Sequence, residues 1–219
     1  MKKPKTAFII FGRYPLAGKV KTRLAASIGD IPAANFYREC AEHTFQQLTP
    51  FLSDASIYFY FSDKTDFSLV QKWLVPYHFL IEVQSGYTLG ERMKNAMYAA
   101  FRHDTEQVII LGTDVPDIST KILQSAVSSL KTAEVVIGPA YDGGYYLIGM
   151  KQLHEYLFEN ITWSTNSVLK TTLEKAQSRN LEVHLLPLLR DIDTLEDLQA
   201  WSNNRDESTN NKFKQFLKK

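Results

Sequence analysis

The chain has 219 residues, of which 44% are hydrophobic and 12% aromatic, and its formal net charge is +1. This apolar content is enough to bury the core of one domain, and the balanced charge excludes a general attraction to nucleic acid or to membrane surfaces. The single Cys40 excludes an intramolecular disulfide. No apolar run approaches the roughly eighteen residues of a transmembrane helix, and no signal segment is visible. We therefore expect a soluble, cytoplasmic protein without membrane insertion.

Seven short apolar, β-branched or aromatic runs predict buried strands, at 7–11, 57–61, 79–83, 108–111, 135–138, 145–149 and 183–186. Segments with helical spacing of apolar residues lie between most of them, at 33–48, 89–101, 119–130 and 166–179. This alternation predicts an α/β fold with a mostly parallel sheet covered on both faces. Gly143 and Gly144 join two runs without room for a helix, which predicts one antiparallel excursion.

Domain organisation follows from where this pattern stops. We expect one domain over residues 1–201, followed by a polar tail over 202–219 that is either a loosely held helix or disordered. In open α/β sheets, ligands bind beyond the carboxyl ends of the strands. The polar segments that follow the strand runs are therefore the candidate site.

The loop after the first run combines flexible backbone with exposed cations. It contains Gly12, Gly18, Lys19, Lys21 and Arg23. Backbone N–H groups and charged side chains of such a loop can hold a di- or triphosphate, which makes all five candidates for nucleotide binding. The spacing fits neither the Walker A loop nor the dinucleotide glycine motif. The alternative is a solvated basic turn.

Asp114 stands where the fourth run ends, directly after Thr113. A carboxylate at a strand end beside a phosphate loop is a natural ligand for Mg²⁺ or Mn²⁺, and Thr113 is a candidate for nucleotide contact. The alternative is an aspartate that caps the turn before the helix at 119–130, a role that Asp117 fits better.

Asp191 and Asp193 alternate around Ile192, so an extended backbone would place both carboxylates on the same side. Two carboxylates so close repel each other unless they are hydrogen-bonded, protonated or metal-bound. One of the two is therefore predicted to bind metal. Thr194 and Asp197 have the spacing of a helix N-cap, which explains them without a catalytic role.

Two further segments carry candidates with competing structural explanations. Asp142 precedes Gly143 in what is either a hairpin turn or, among aromatic neighbours, an acceptor pocket with Asp142 as the base. Gly86 and Gly90 belong to a loop that could cover a base or ribose. Trp163 precedes a helix and is interpreted as a packed aromatic beside an N-cap rather than as a sugar platform.

These segments together carry a resemblance to a known family. GKVKTRL, QSGYTLGERM, LGTDVPD, GPAYDGGYYLIG, ITWST and DIDTLEDL resemble, in order over roughly residues 6–200, a conserved bacterial family grouped with the GT-A-fold nucleotide-diphospho-sugar transferases. The resemblance implies a Rossmann-like, three-layer α/β/α domain that binds a nucleotide and a divalent metal. By position, Lys19, Lys21 and Arg23 match the phosphate-binding cations, Asp114 matches the metal-binding acid, and Asp191 or Asp193 matches a second acid.

One departure widens the range of reactions. Most GT-A glycosyltransferases carry Asp-x-Asp, whereas here Val115 and Pro116 separate Asp114 from Asp117. A single aspartate before proline, a KTRL-type loop and the DIDT segment look more like small nucleotidyltransferases.

Three functions remain open at the level of sequence. The first is a glycosyltransferase that uses a metal-bound nucleotide-sugar, and the second is a nucleotidyltransferase that uses a nucleoside triphosphate and releases pyrophosphate. In both, Lys21 and Arg23 would stabilise the leaving group, Asp142 would act as the base, and a small molecule would be the acceptor. The third is a non-catalytic nucleotide-binding domain. No nucleic-acid partner is expected, and no oligomeric state is predicted.

Overall fold

The computed structural model describes residues 5–62, 66–203, 213 and 216. Its centre is a seven-stranded sheet with the strand order β3-β2-β1-β4-β6-β5-β7. The strands are β1 (Thr6–Gly12), β2 (Ala55–Phe61), β3 (Leu80–Val83), β4 (Gln107–Leu111), β5 (Val135–Pro139), β6 (Tyr145–Met150) and β7 (Val183–Leu185). All seven predicted strands are present, because short runs of β-branched and aromatic residues between turn signals are a local and strong pattern.

The sheet is mixed, with one strand running against the others. β1 lies parallel to β2 and β4, and the pairs β2–β3 and β5–β7 are also parallel. β6 is antiparallel to both β4 and β5. Gly143 makes the tight turn into β6 with φ +86°, and a Cβ at this position would overlap the backbone of Asn166. The predicted antiparallel excursion is confirmed.

The helices are α1 (Thr22–Ile28), α2 (Asp30–Leu48), α3 (Phe67–Leu74), α4 (Leu89–Phe101), α5 (Thr120–Ser129), α6 (Val168–Ser178) and α7 (Leu195–Asn203). The four predicted segments correspond to α2, α4, α5 and α6. The periodic pattern missed α1 and α3, which are only seven and eight residues long. Within the described ranges, no helix is long and apolar enough to cross a membrane.

Alternate side chains of the central strands enter two separate cores. Phe8 and Ile10 of β1 pack with residues of α2, α3 and α5, whereas Ala7 and Ile9 pack with residues of α4 and α6. Each large side chain removed from water in this way contributes about 1.5–3 kcal/mol to folding. The three-layer α/β/α architecture and the mostly parallel sheet are therefore as predicted.

A third core lies beside this sandwich and reaches into the tail. Its centre is Phe213, whose side chain is completely buried. The ring packs in one cluster with Leu24 of α1, Phe36 of α2, Trp201 of α7 and Ile192, which precedes α7. The burial of Phe213 was not predicted, because one aromatic residue in a polar segment gives no periodic signal. The other tail residues, apart from Ser202, Asn203 and Phe216, lie outside the described residues.

Candidate active site

The end of β4 and the segment before α7 meet at the centre of the site. The backbone N–H of Ile192 donates a hydrogen bond to the carbonyl oxygen of Asp114 at 3.1 Å. The Ile192 side chain is buried in the third core, while Asp191 and Asp193 on either side of it line the same cavity. The alternation in the sequence therefore has the predicted outcome, and it also brings Asp193 next to Asp114.

Lys21 lies between these two aspartates. Its Nζ is 3.0 Å from Oδ1 of Asp114 and 2.6 Å from Oδ1 of Asp193, and its side chain is only 4% exposed. Burial alone would lower the pKa of Lys21, but the charges of Asp114 and Asp193 outweigh it and raise that pKa. Burial would raise the pKa of Asp193, but the charge of Lys21 outweighs this effect and lowers that pKa. The prediction of an exposed loop cation is thus wrong for Lys21.

The contact of Lys21 with Asp114 is the longer of its two ion pairs. Oδ1 of Asp114 is buried, and the ammonium group of Lys21 is the charged group that faces it. Asp114 lies at the junction of two chambers.

The first chamber has a volume of about 580 Å³ and is rich in cations. Its lining includes Arg13, Lys21, Arg23 and Arg92 together with Asp114 and Asp193. Nη1 of Arg23 is 4.0 Å from Oδ2 of Asp193, and the Arg23 side chain is 72% exposed, so its charge is available to a ligand. Arg13 and Arg92 were not predicted as site residues, and Arg92 stands in the QSGYTLGERM segment, of which only the glycines were candidates.

Two predicted residues of the first loop lie outside the lining of this chamber. Gly18 has φ +74° and is exposed, which indicates a conformational role in the turn. Lys19 is also exposed, and its carbonyl oxygen accepts a hydrogen bond from Nη1 of Arg13 at 3.4 Å. The loop therefore brings Lys21 and Arg23, but not Lys19, to the chamber wall.

Tyr37 of α2 ties the ends of β1 and β4 together beneath the chamber. Its hydroxyl oxygen accepts hydrogen bonds from the backbone N–H of Arg13 at 2.8 Å and from Oγ1 of Thr113 at 2.9 Å. Burial, and then the charge of Asp114, raise the pKa of Tyr37 to about 12. Gly12 also lies here, since a Cβ at this position would come within 2.7 Å of the Phe59 ring. Thr113 and Gly12 line the chamber, and these contacts with Tyr37 and Phe59 fix the strand ends that form its wall.

The loop after β3 forms the opposite rim of the chamber. Thr88 and Glu91 make a capping box at the start of α4, and the Glu91 carboxylate also accepts the backbone N–H of Tyr87 at 2.7 Å. Gly86 has φ +135°, and its carbonyl oxygen accepts Nε of Arg92 at 2.9 Å. This rigid turn leaves the Tyr87 side chain 97% exposed at the chamber wall.

A second chamber of about 350 Å³ adjoins the first and shares Asp114 and Asp193 with it. Its lining also contains Asp142 and Asp191 and, among the described residues, no lysine or arginine. Oδ1 of Asp142 accepts the backbone N–H of Gly144 at 2.8 Å. Asp142 is therefore a turn residue, as one of the two interpretations of the sequence had it, and its side chain also lines this chamber.

The acid of this chamber with the most strongly altered proton affinity is Asp191. Its pKa is raised to about 6, first by burial, then by the charge of Asp142, and to a smaller extent by Asp193. The repulsion predicted between Asp191 and Asp193 is present, but it raises the pKa of Asp191 less than the charge of Asp142 does.

Trp163 forms part of the wall of the second chamber. Its ring lies against Gly90, where a Cβ would be 2.7 Å from Cζ2, and makes an edge contact with Tyr145 at a centroid distance of 6.4 Å. Gly90 is buried by this packing, so a packing role replaces the predicted contact with the nucleotide. Trp163 therefore lines the chamber in addition to packing against Gly90. The N-cap residue of the following helix, α6, is Ser167.

The acids of the site suit a cation that is shared with a ligand. Among the described residues, no group of three or more histidines, cysteines, aspartates or glutamates is placed to hold a metal ion. Mg²⁺ is commonly bound by one or two carboxylates together with substrate phosphates. Asp114 and Asp193 fit that arrangement, and an all-protein metal cage does not fit.

Comparison with known proteins identifies the family and the fold. Residues 50–165 match DUF2064, described as an uncharacterized protein conserved in bacteria. The chain belongs to this family. A solved structure from Desulfovibrio desulfuricans G20, described as a candidate nucleotide-diphospho-sugar transferase, is 33% identical with a TM-score of 0.89 and covers 98% of this chain and 94% of that one. The predicted family resemblance and fold are confirmed.

A curated relative points to a second chemistry. The 2-phospho-L-lactate guanylyltransferase of Methanocaldococcus jannaschii is 29% identical over 137 residues, or 58% of this chain. The match spans 58% of the length of that relative.

More distant structures share the fold alone. A 4-diphosphocytidyl-2C-methyl-D-erythritol synthase from Anaerococcus prevotii has a TM-score of 0.62 at 14% identity, covering 91% of this chain and 96% of that one. The manganese complex of Rv0371C from Mycobacterium tuberculosis has a TM-score of 0.56 at 12% identity, covering 91% and 98%.

Proposed function

We propose that this DUF2064 protein is a transferase that moves a glycosyl group from a nucleotide-diphospho-sugar to a hydroxyl of a small acceptor. The observation that carries the proposal is the pair of adjoining chambers with opposite charge. One chamber is lined by four cations, the other by four carboxylates, and Asp114 and Asp193 belong to both. A donor and an acceptor bound in the two chambers would meet at these two aspartates.

The basic chamber is suited to the nucleotide diphosphate. Arg13, Arg23 and Arg92 can donate charge-assisted hydrogen bonds to phosphate oxygens, and the exposed ring of Tyr87 offers a surface on which a base can stack. When the bond between C1 of the sugar and the phosphate oxygen breaks, negative charge develops on the departing diphosphate. Cations fixed around that position stabilise the transition state more than the ground state.

The acidic chamber is suited to an acceptor that carries a hydroxyl. A hydroxyl must lose its proton as its oxygen forms the new bond to C1, and Asp142 or Asp191 can accept this proton as a general base. A pKa of about 6 leaves Asp191 largely ionised at neutral pH while keeping it a stronger base than an ordinary aspartate. Trp163 and Tyr145 add apolar surface on which the ring of an acceptor can rest.

A divalent cation fits the junction of the chambers. Asp114 and Asp193 would hold Mg²⁺ or Mn²⁺ together with phosphate oxygens of the donor, and Asp193 is a better candidate than Asp191 because it lies beside the same ammonium group as Asp114. When bound, such a cation supplies additional positive charge to the leaving diphosphate. The manganese complex of Rv0371C, a protein of similar fold, is consistent with this assignment.

Nucleotidyl transfer is the second candidate, and the similarity to the Methanocaldococcus jannaschii guanylyltransferase favours it. In that reaction an acceptor phosphate attacks the α-phosphorus of a nucleoside triphosphate and pyrophosphate leaves. The charge of the acidic chamber argues against it, because an acceptor phosphate would lie among Asp142, Asp191 and the two shared aspartates.

The product released decides between the two reactions. The protein is incubated with Mg²⁺ and a set of acceptors, either with nucleotide-sugars or with nucleoside triphosphates, and the release of nucleoside diphosphate and of pyrophosphate is measured. Glycosyl transfer predicts nucleoside diphosphate, and only with a nucleotide-sugar. Release of pyrophosphate from a triphosphate would replace the proposal with nucleotidyl transfer.

Variants then test the assignment of the two chambers. Asp142→Asn and Asp191→Asn should lower turnover and leave nucleotide affinity nearly unchanged, whereas Asp114→Asn should lower both. Asp54→Asn, at an exposed position outside both chambers, is the matched control. Equal loss of nucleotide affinity in all three cleft variants would contradict the division into donor and acceptor chambers.

A further inference from the structure

We propose that the ammonium group of Lys21 occupies the position between Asp114 and Asp193 that a divalent cation would take, so that lysine and metal compete for the same carboxylates. The inference rests on the nucleotide site proposed above and extends it to the order of binding. Metal alone would bind weakly, and it would bind well only when donor phosphates are present.

The geometry around Lys21 carries this inference. Its Nζ is within 3.0 Å of one carboxylate oxygen from each aspartate, and its side chain is almost completely removed from water. Asp114 and Asp193 are also the carboxylates that would hold a divalent cation, which prefers oxygen ligands. The ammonium group and the metal would then compete for the same two carboxylates, because two positive charges placed so close together repel each other strongly.

The two contacts of Lys21 differ in length, which gives a second reason. Nζ is 3.0 Å from Oδ1 of Asp114 and 2.6 Å from Oδ1 of Asp193, to which it donates a hydrogen bond. The longer contact is the weaker of the two, so it is given up first when another cation approaches. We infer that the exchange opens on the Asp114 side.

Donor phosphates would favour the exchange. Lys21 lies in the wall of the basic chamber, so phosphates bound there give its ammonium another anionic partner and also supply oxygen ligands for the metal. Nucleotide and metal would then bind with positive coupling, and each would strengthen the binding of the other. Lys21 thereby offsets part of the negative charge of Asp114 and Asp193 until a donor binds.

The test measures binding of Mn²⁺ alone, with no nucleotide present. Free Mn²⁺ is followed by electron paramagnetic resonance during titration of the wild-type protein, Lys21→Met and Lys21→Gln. Both variants remove the charge, and glutamine retains hydrogen bonding, so the second variant answers the same question if the first does not fold. We expect each folded variant to bind one Mn²⁺ at least about tenfold more tightly than the wild type. Adding Asp114→Asn to either variant should abolish the gain.

Lys170→Met is the matched control, because Lys170 is 79% exposed on α6 and forms an ion pair of 3.9 Å with Glu174, outside both chambers. It should leave Mn²⁺ affinity at the wild-type value. Tight Mn²⁺ binding by the wild type, or Lys21 variants that bind no better than it, would overturn the inference. Since no nucleotide is used, either result leaves the proposed transferase activity to be judged by its own product assay.

Discussion

Ile192 donates its backbone N–H to the carbonyl oxygen of Asp114 at 3.1 Å, which fastens the segment before α7 to the end of β4. The Ile192 side chain is fully buried beside residues of α1, α2 and α7. One residue thus joins the third core to the candidate active site. The positions of Asp191 and Asp193 therefore depend both on the end of β4 and on how α1, α2 and α7 pack around Ile192.

Replacing Lys21 should destabilise the protein in the absence of ligand. Lys21→Met leaves Asp114 and Asp193 without their buried partner, and we expect the free energy of unfolding to fall by about 2–4 kcal/mol. The loss is smaller than for a fully buried ion pair, because water still reaches both carboxylates. Urea denaturation at pH 7 measures the loss. Arg23→Met removes a charge that is 72% exposed and should cost less than about 0.5 kcal/mol. Equal stability of the two variants would refute the structural role of Lys21.

Asp191 should make the protein less stable as the pH rises through about 6. Its folded-state pKa is raised to about 6 from the ordinary 3.8, so between these values the folded protein binds more protons than the unfolded chain. Stability attributable to Asp191 is therefore lost as the pH increases. Asp191→Asn should gain about 1–2 kcal/mol over the wild type at pH 7, discounted for partial exposure, and little at pH 4.

Urea denaturation of both proteins at several pH values from 4 to 7.5 checks this prediction. Taking the difference between them removes the contributions of other groups, including Asp193, whose lowered pKa acts in the opposite direction. Parallel stability curves would show that Asp191 has an ordinary pKa.

Gly90→Ala should destabilise the protein by about 1–3 kcal/mol, because the added methyl group would lie 2.6 Å from the carbonyl oxygen of Phe158 and 2.7 Å from the Trp163 ring. Thermal unfolding measures the effect, and tryptophan fluorescence reports displacement of the ring. Gly112→Ala is the matched control, since a Cβ there meets nothing within 4 Å. If both variants melt at the same temperature, close packing against Gly90 does not fix the position of Trp163 in the wall of the second chamber.

Phe213→Ala should cost about 3–5 kcal/mol, because a completely buried ring would be removed from among Phe36, Trp201 and His43. Phe67→Ala provides the comparison, as that ring is 48% exposed and should cost about 1 kcal/mol or less. Denaturant unfolding gives both values. A Phe213 variant no less stable than the Phe67 variant would mean that the tail does not contribute to the third core.

The sequence by itself determined the strands, most of the longer helices and the edge of the sheet at which the site lies. These features are readable because hydrophobic periodicity and turn residues act over a few neighbouring positions. The placement of Asp114 at a strand end, and of Asp191 and Asp193 on one side of Ile192, follows from the same local rules.

Only the tertiary structure decided which of these groups meet and in what state of charge. The environment of Lys21 depends on Asp114 and Asp193, and that of Gly90 on Trp163, and each of these contacts joins residues far apart in the chain. No local pattern distinguishes a buried, paired lysine from an exposed one, because burial and pairing are set by the packing of separate elements. For the same reason, the raised pKa of Asp191 and the burial of Phe213 could not be predicted from the sequence.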